Sequence, residues 1–323
     1  MSKLVLIDGN AILHRAYHAL PPLTTKRGEP INAVYGLVSM LLRVIVDIKP
    51  THIAIAFDRK EPTFRKELLE SYQAQRPEME PNLSSQFKKA KETVESFGIP
   101  IYEKAGFEAD DVIGTLAKRA TEDQRSKRIT NLTSQIVKGQ NENLKLKIDE
   151  VVIVTGDRDI LQLVDDKINV YLPQKGLSEG KLMKPDDVVE KMGVTPNQIV
   201  DFKALVGDQS DNYTGVAGIG PKTAIKLLQK YDKLENIYKH IDEIEKGVVT
   251  KLKKDKENAF LSQKLAQIVK NIEIDSDFNQ MNKWRVDSAN VLDLFSEYGF
   301  KTLTQRVKDV GKTIVSENQM KLI

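Results

Sequence analysis

The 323-residue chain contains no cysteine. Disulfide staples, thiolate nucleophiles and cysteine-ligated zinc are therefore excluded. Histidine is also scarce, with four residues, which leaves no donor set suited to a structural zinc site. Long apolar runs are missing as well. The opening MSKLVLIDGN holds only four consecutive apolar residues before Asp8, too few for a signal peptide or a membrane span. A soluble, cytoplasmic protein is the expectation. Charge of one sign is not in large excess: 49 Lys and Arg against 46 Asp and Glu give a formal +3, which does not mark a nucleic-acid binder by itself. The distribution says more. Many of the acids fall in one candidate site, so the remaining surface is more basic than the total. At 40% hydrophobic residues, the chain can bury a sizeable core and build two packed units.

Residues 4–7 form a short apolar run that ends in Asp8-Gly9-Asn10, the pattern of a central parallel strand meeting a turn. Residues 33–48 are apolar at helical spacing and lead to a second run, 51–57, closed by Asp58. A weaker strand covers 99–102, a helix 112–120, and a clear strand 151–154 runs into Thr155-Gly156-Asp157; residues 168–172 form another strand. This alternation predicts an α/β fold with a mostly parallel sheet flanked by helices. Such sheets bind ligands at the carboxyl ends of their strands, where Asp8, Asp58 and Asp157 stand. Two stretches interrupt the plan: the charged, proline-containing segment 61–97 and the polar segment 121–150. From Pro196 the pattern is largely helical, and the last twenty or so residues have weak hydrophobic organisation.

Carboxylates are hard oxygen ligands suited to Mg²⁺ or Mn²⁺. Gathered at one sheet edge they repel one another unless cations sit among them, and metal-dependent phosphodiester hydrolysis needs such a set. Single acids after strands also serve as turn formers. Glu108, Asp110 and Asp111 precede a helix and could cap it, although three carboxylates in four positions exceed what a cap needs. Asp157 and Asp159 flank Arg158, a spacing that brings both acids to one metal edge. A helical turn would bring Asp208 and Asp211 to one side. Asp165 and Asp166 are given no catalytic role.

Gly215-Val216-Ala217-Gly218-Ile219-Gly220 precedes Pro221 and an apolar helix. Glycines permit a tight path between two helices and leave amides open to a phosphate. Lys222, Lys226 and Lys230 recur on one helical stripe. The turn resembles a helix–hairpin–helix element, and a P-loop does not fit its spacing. Arg59, Lys60, Arg65, Lys66 and Arg76, with Phe64 and Tyr72 among them, suit phosphates and an unpaired base, or else a solvated helical face. Arg15 lies just beyond the first acid and could hold a phosphate. His14 and His18 are read as surface or packing residues.

Six stretches, LVLIDGN, RAYHALPPLTTKRGEPINAVYG, AFDRKEPTFR, GFEADDVIGTLA, VTGDRDILQLV and FKALVGDQSDNYTGVAGIGPKTA, occur in this order within residues 4–224, in a match that spans roughly 4–307. Together they resemble the 5′-nuclease domain of bacterial DNA polymerase I, within the flap-endonuclease family. The resemblance implies an α/β nuclease core over 1–200 carrying a helical arch at 60–97 and an insertion at 121–150. It also implies a helical DNA-binding region over 201–307 and a tail over 308–323. Asp8, Asp58, Glu108, Asp110 and Asp111 would surround a first Mg²⁺ or Mn²⁺, and Asp157, Asp159, Asp208 and Asp211 a second. Arg15 and Arg76 would contact the substrate phosphate, with Tyr72 beside the unpaired nucleotide. Arg65, Lys66, Gln73, Gly215, Gly218, Gly220, Lys222, Thr223 and Lys226 would contact DNA. Carbonyls of the hairpin, at Val216 and Ile219, would hold K⁺.

The implied activity is 5′-3′ exonuclease and 5′-flap endonuclease action on branched or nicked DNA and on primer RNA, leaving 5′-phosphate and 3′-hydroxyl ends. A monomer working alongside a DNA polymerase and a ligase is expected, as a standalone form. One departure from the family pattern is Tyr72-Gln73 where Tyr-Lys is usual: Gln73 donates a hydrogen bond but supplies no charge. That leaves two alternatives, a branched-DNA binding module with weak or no catalysis and a related-fold single-strand ribonuclease.

Overall fold

The computed structural model describes residues 1–122, 148–174 and 179–320, with side chains to residue 316. Its strands are β1 (Lys3–Asp8), β2 (His52–Ala56), β3 (Ile101–Tyr102), β4 (Glu150–Val154), β5 (Ile168–Pro173) and β6 (Gly180–Met183). They form one sheet in the order β3-β2-β1-β4-β5-β6. The first five are parallel; β6 runs antiparallel to β5. The parallel body matches the sequence expectation. The edge strand β6 does not figure in it, because GKLM is short and carries little apolar signal.

Successive side chains of a strand point to opposite faces, and both faces here are apolar. Leu4 and Leu6 of β1, Ala54 and Ala56 of β2, and Val151 and Ile153 of β4 belong to one buried cluster. Val5 and Ile7, Ile53 and Ile55, and Val152 and Val154 belong to the other. Strands covered on both sides read as continuous hydrophobic runs, which is why these were legible.

Before β4 come α1 (Gly9–Ala19), α2 (Asn32–Ile48), α3 (Phe64–Leu68), α4 (Pro81–Ser84), α5 (Gln86–Ser96) and α6 (Ala109–Thr121). After β6 come α7 (Pro185–Met192), α8 (Ile199–Val206), α9 (Pro221–Tyr231), α10 (Leu234–Lys239), α11 (Lys246–Lys254), α12 (Lys256–Ala266), α13 (Ala289–Tyr298) and α14 (Lys301–Met320). Helices α6, α8 and α9 cover the first face. Helices α2, α5, α13 and α14 cover the second.

Three expectations change. The helical arch expected over 60–97 does not reach its stated end: α3 and α4 are the short helical pieces expected, but α5 lies on the core. Ala90 and Val94 of α5 and the following Phe97 repeat at helical spacing and are buried. The tail over 308–323 is, as far as described, the continuation of α14. Leu303, Val307, Val310 and Ile314 form one stripe against the second face, a pattern too sparse to stand out in sequence. Residues 289–307 pack on that second face, away from the hairpin region with which they were grouped. Most of the insertion at 121–150, namely residues 123–147, lies outside the described residues, as do 321–323 of the tail. Among the described residues, no helix is long and apolar enough to cross a membrane.

Candidate metal centre

Chain order reverses between β1 and β4, the strand pair where an open parallel sheet leaves a crevice at its carboxyl edge. Asp8 is the last residue of β1 and caps α1, its Oδ1 accepting the Ala11 amide at 2.9 Å. Its Oδ2 accepts the Thr155 hydroxyl at 2.7 Å. The same hydroxyl accepts the Asp157 amide at 3.0 Å, and Asp157 Oδ1 accepts the Asp159 amide at 2.8 Å. Two adjacent strand ends are thus laced together by acids and one threonine. Asp58, two residues beyond β2, accepts the Ala109 amide at 2.6 Å, while its own amide donates to Asn10 Oδ1 at 3.0 Å. This brings the start of α6, with Asp110, to the same edge.

Crowding shows in the ionisation of these groups. Burial pushes Asp8 up to about 7, with Asp58 and Asp157 adding to the rise against the Ala11 and Thr155 hydrogen bonds. Burial, then Asp157, Asp8, Asp58 and Glu108, raises Asp110 well above the usual carboxylate value. Asp58 is exposed as a residue, yet the protein behind its carboxylate raises it too. Burial takes Glu108 to about 7 despite Arg65, and takes Asp159 to about 6, with Asp157 adding to it and Lys203 opposing. Buried acids that raise one another further are a set short of positive charge.

A second group adjoins the first. Oxygens of Asp159, Asp208 and Asp211 all lie within 4.8 Å of one another. Asp208 and Asp211 sit in a turn after α8, not in the helical turn expected. Asp208 and Tyr213 close it with paired backbone hydrogen bonds of 2.8 and 3.0 Å. Asp208 Oδ1 accepts the Ser210 amide at 2.8 Å. Gly207 (φ 77°) and Gly215 (φ 59°) take left-handed conformations where the two limbs touch. A Cβ on Gly215 would stand 2.4 Å from the Gly207 nitrogen. The acid turn is therefore fastened to the glycine hairpin.

Lys203 of α8 was not singled out in the sequence. It bonds both Asp159 and Asp208, and these carboxylates hold its ammonium charged against the cost of burial. Burial opposes ionisation of Asp208, but Lys203 and Ser210 outweigh it and set its pKa below the usual value. The available signal was a single lysine inside the apolar octet IVDFKALV. Asp211 accepts from Arg76 at 2.7 Å, Gln73 Nε2 at 3.1 Å and the Tyr72 hydroxyl at 3.3 Å.

Two family models match the chain. One, described as the 5′-3′ exonuclease N-terminal resolvase-like domain, covers residues 3–193; the other, the 5′-3′ exonuclease C-terminal SAM fold, covers 194–289. The chain belongs to the 5′-3′ exonuclease family. It is 39% identical to DNA polymerase I of Bacillus caldotenax over 308 residues, covering 95% of this chain and 32% of that protein. It is 38% identical to the Bacillus subtilis DNA polymerase I over 306 residues, covering 94% of this chain and 32% of the relative. The chain thus spans about a third of the length of these relatives. The same fold occurs in the T5 D15 protein co-crystallized with metal ions: TM-score 0.61, 19% identity, covering 95% of this chain and 98% of that one. Flap endonuclease-1 from Methanococcus jannaschii shares it, with TM-score 0.57, 17% identity and coverage of 98% and 94%.

Asp111 and Arg65 depart from expectation. Asp111 is fully buried, and both its oxygens are engaged by the Arg65 guanidinium at 2.7 and 2.9 Å. It also accepts the Val269 amide at 2.8 Å and the Glu108 amide at 3.1 Å. The helix-capping alternative accounts for it, and no oxygen is left over for an ion. Arg65 is 3% exposed and also donates to the Leu265 and Gln267 carbonyls. Its donors face inward, so the expected DNA contact is corrected to a buried strut tying α3 and α6 to the segment after α12.

Glu108 faces the base of the 61–97 excursion, near Thr63, Arg65 and Tyr72. Tyr72 is buried, with its hydroxyl toward Glu108 and Asp211, and presents no open ring for stacking in this arrangement. Gln73 has a left-handed backbone (φ 57°) and turns toward Asp211. Lys66 is exposed on α3, and Arg15 donates to the Gln174 carbonyl. In the hairpin, Gly218, Gly220, Lys222 and Lys226 are exposed, Thr223 is half-buried, and Gly215, Val216 and Ile219 are buried. The Val216 carbonyl accepts the Ile219 amide at 3.0 Å.

Proposed function

We propose that this chain hydrolyses DNA phosphodiesters with divalent metal ions, as a 5′-3′ exonuclease and structure-specific 5′-flap endonuclease that also removes primer RNA. The observation that carries the reading is the convergence of Asp8, Asp58, Asp110, Asp157, Asp159, Asp208 and Asp211 on one sheet edge, at the strand-order switch. The donor set fits Mg²⁺ or Mn²⁺: all ligands are hard carboxylate oxygens, three of them within 4.8 Å, and Asp8, Asp58 and Asp110 are raised by burial with neighbouring acids adding to it. Asp8, Asp110 and Asp157 would hold one ion and Asp159, Asp208 and Asp211 another, with Asp58 and Glu108 beside them. Bound there, divalent ions supply charge neutralisation and Lewis-acid activation at the phosphate.

The protein's own groups position the substrate. Arg76, which bonds Asp211, and Arg15 would take the scissile phosphate, and the exposed Lys66 would contact DNA. Tyr72 and Gln73 would be close to the unpaired nucleotide where the strand leaves the duplex. The hairpin amides at 218–220, Lys222, Thr223 and Lys226 engage the downstream duplex through phosphates, so recognition is of shape and end rather than sequence. K⁺ at the hairpin carbonyls, including Val216 and Ile219, would steady that contact. Support also comes from the fold: a T5 D15 flap endonuclease with it was crystallised as a pseudo-enzyme-product complex with DNA and metal ions. Polymerase and ligase are the expected functional partners, consistent with the DNA polymerase I relatives, and the cytoplasm is the expected place.

The test compares 5′-flap, nicked duplex, hairpin and single-stranded DNA in Mg²⁺ and in EDTA. Cleavage favouring the flap, dependent on Mg²⁺ and abolished in Asp157→Asn while flap affinity survives, is expected. Equal product from wild type and Asp157→Asn would overturn it in favour of a binding module, and preference for single-stranded RNA would favour a ribonuclease.

A further inference from the structure

The acid crevice has two unlike halves. Asp8 and Asp110 are raised first by burial, and the charges that act on them are those of other acids. The Asp159–Asp208–Asp211 group instead carries its own cations. Lys203, only 11% exposed, reaches from α8 to both Asp159 and Asp208, and Arg76 closes on Asp211 at 2.7 Å. Three negative charges thus meet two positive ones supplied by the chain. An ammonium in hydrogen-bonding contact with two carboxylates occupies the volume that a divalent ion would need, since such an ion binds carboxylate oxygens at about 2.0–2.2 Å for Mg²⁺. Lysine and ion therefore exclude one another at these oxygens. Arg76 sits on an exposed turn and can swing away, whereas Lys203 is anchored in a helix whose neighbours Ala204 and Leu205 are fully buried.

We infer that Lys203 is a built-in counter-ion of the Asp159–Asp208–Asp211 group, which the second divalent ion must displace, so that the crevice fills in order and the second ion binds more weakly than the first. Lys203 is a positioning residue in this scheme: it holds two ligands together without an ion and sets the threshold for loading one. The inference rests on the proposed metal reading of the crevice. Its mutual exclusion has a thermodynamic consequence, because a ligand that must break a protein ion pair loses that interaction from its affinity.

The experiment titrates metal-stripped full-length protein with Mn²⁺ without DNA, reading free Mn²⁺ by electron paramagnetic resonance and heat by calorimetry. Wild type should show a tight and a weak class of ion. Lys203→Met, unbranched and uncharged, should tighten the weak class about ten-fold or more and leave the tight class unchanged. Lys203→Gln should do likewise, which protects the test if the methionine variant folds poorly, whereas Lys203→Arg should keep the weak class weak. In EDTA, Lys203→Met should melt below wild type and gain more on adding Mn²⁺. A weak class unchanged or weakened in both Lys203→Met and Lys203→Gln would overturn the inference. If wild type binds Mn²⁺ with two classes and Asp208→Asn removes neither, the metal reading itself fails, a result separable from the first.

Discussion

Arg65 and Asp111 show how a residue's chemistry can be read correctly and its role misread. Both belong to charged motifs beside the site, and both are buried against each other. Nothing in FRKEL or EADD says which charge turns inward; the deciding partners, the Leu265 and Gln267 carbonyls and the Val269 amide, are 158 to 202 residues away. Removing one member of a buried pair strands the other, at a cost of about 3–5 kcal/mol. Arg65→Met should therefore lower stability by that amount in urea unfolding, well beyond any loss of DNA affinity in the folded fraction. An unfolding midpoint equal to wild type, with DNA binding lost, would restore the original assignment. The strand-end acids were legible, because an aspartate closing an apolar run carries its own address. Gln73 remains a charge deficit beside Asp211. Gln73→Lys should raise single-turnover flap cleavage several-fold with DNA saturating, and no gain would show that another cation already serves.

At the level of elements, the sheet and its main helices follow from continuous apolar runs and helical spacing, while α14, β6 and the turn holding Asp208 and Asp211 do not. That turn depends on a backbone contact rather than a side-chain pattern. Gly207 and Gly215 approach so closely that any Cβ collides with main chain, and main chain cannot swing aside as a side-chain tip can. Gly215→Ala combines a left-handed alanine with this overlap and should cost about 3 kcal/mol or more. It should also weaken Mn²⁺ binding, because Asp208 and Asp211 share the displaced turn. Thermal melting and Mn²⁺ titration on the same preparation would check both, and an unshifted melting temperature would show that the limbs separate freely.

For the molecule as a whole, the crevice is a source of instability that bound cations would relieve. Asp8 and Glu108 lie near 7 and Asp159 near 6, above unfolded carboxylates at about 4. Between those limits the folded protein binds more protons than the unfolded chain, so stability falls as pH rises through the window. Asp208, held low, is ionised in both states across this window and adds no slope there; His14 and His52, lowered by burial, act in the opposite sense but are outnumbered once Asp58 and Asp110 are included. In EDTA the melting temperature should drop from pH 5 to pH 7.5, and millimolar Mg²⁺ should recover more of it at pH 7.5 than at pH 5. A melting temperature in EDTA that climbs over this range would contradict the crowding seen here.

The glycine-to-glycine weld also makes the molecule a ruler. If the hairpin engages the duplex as proposed, its close main-chain contact with the turn that carries Asp208 and Asp211 would fix the distance from the held phosphates to the point of scission. Lengthening a flap should therefore change how fast this chain cuts, while the cut itself stays at one nucleotide position relative to the junction.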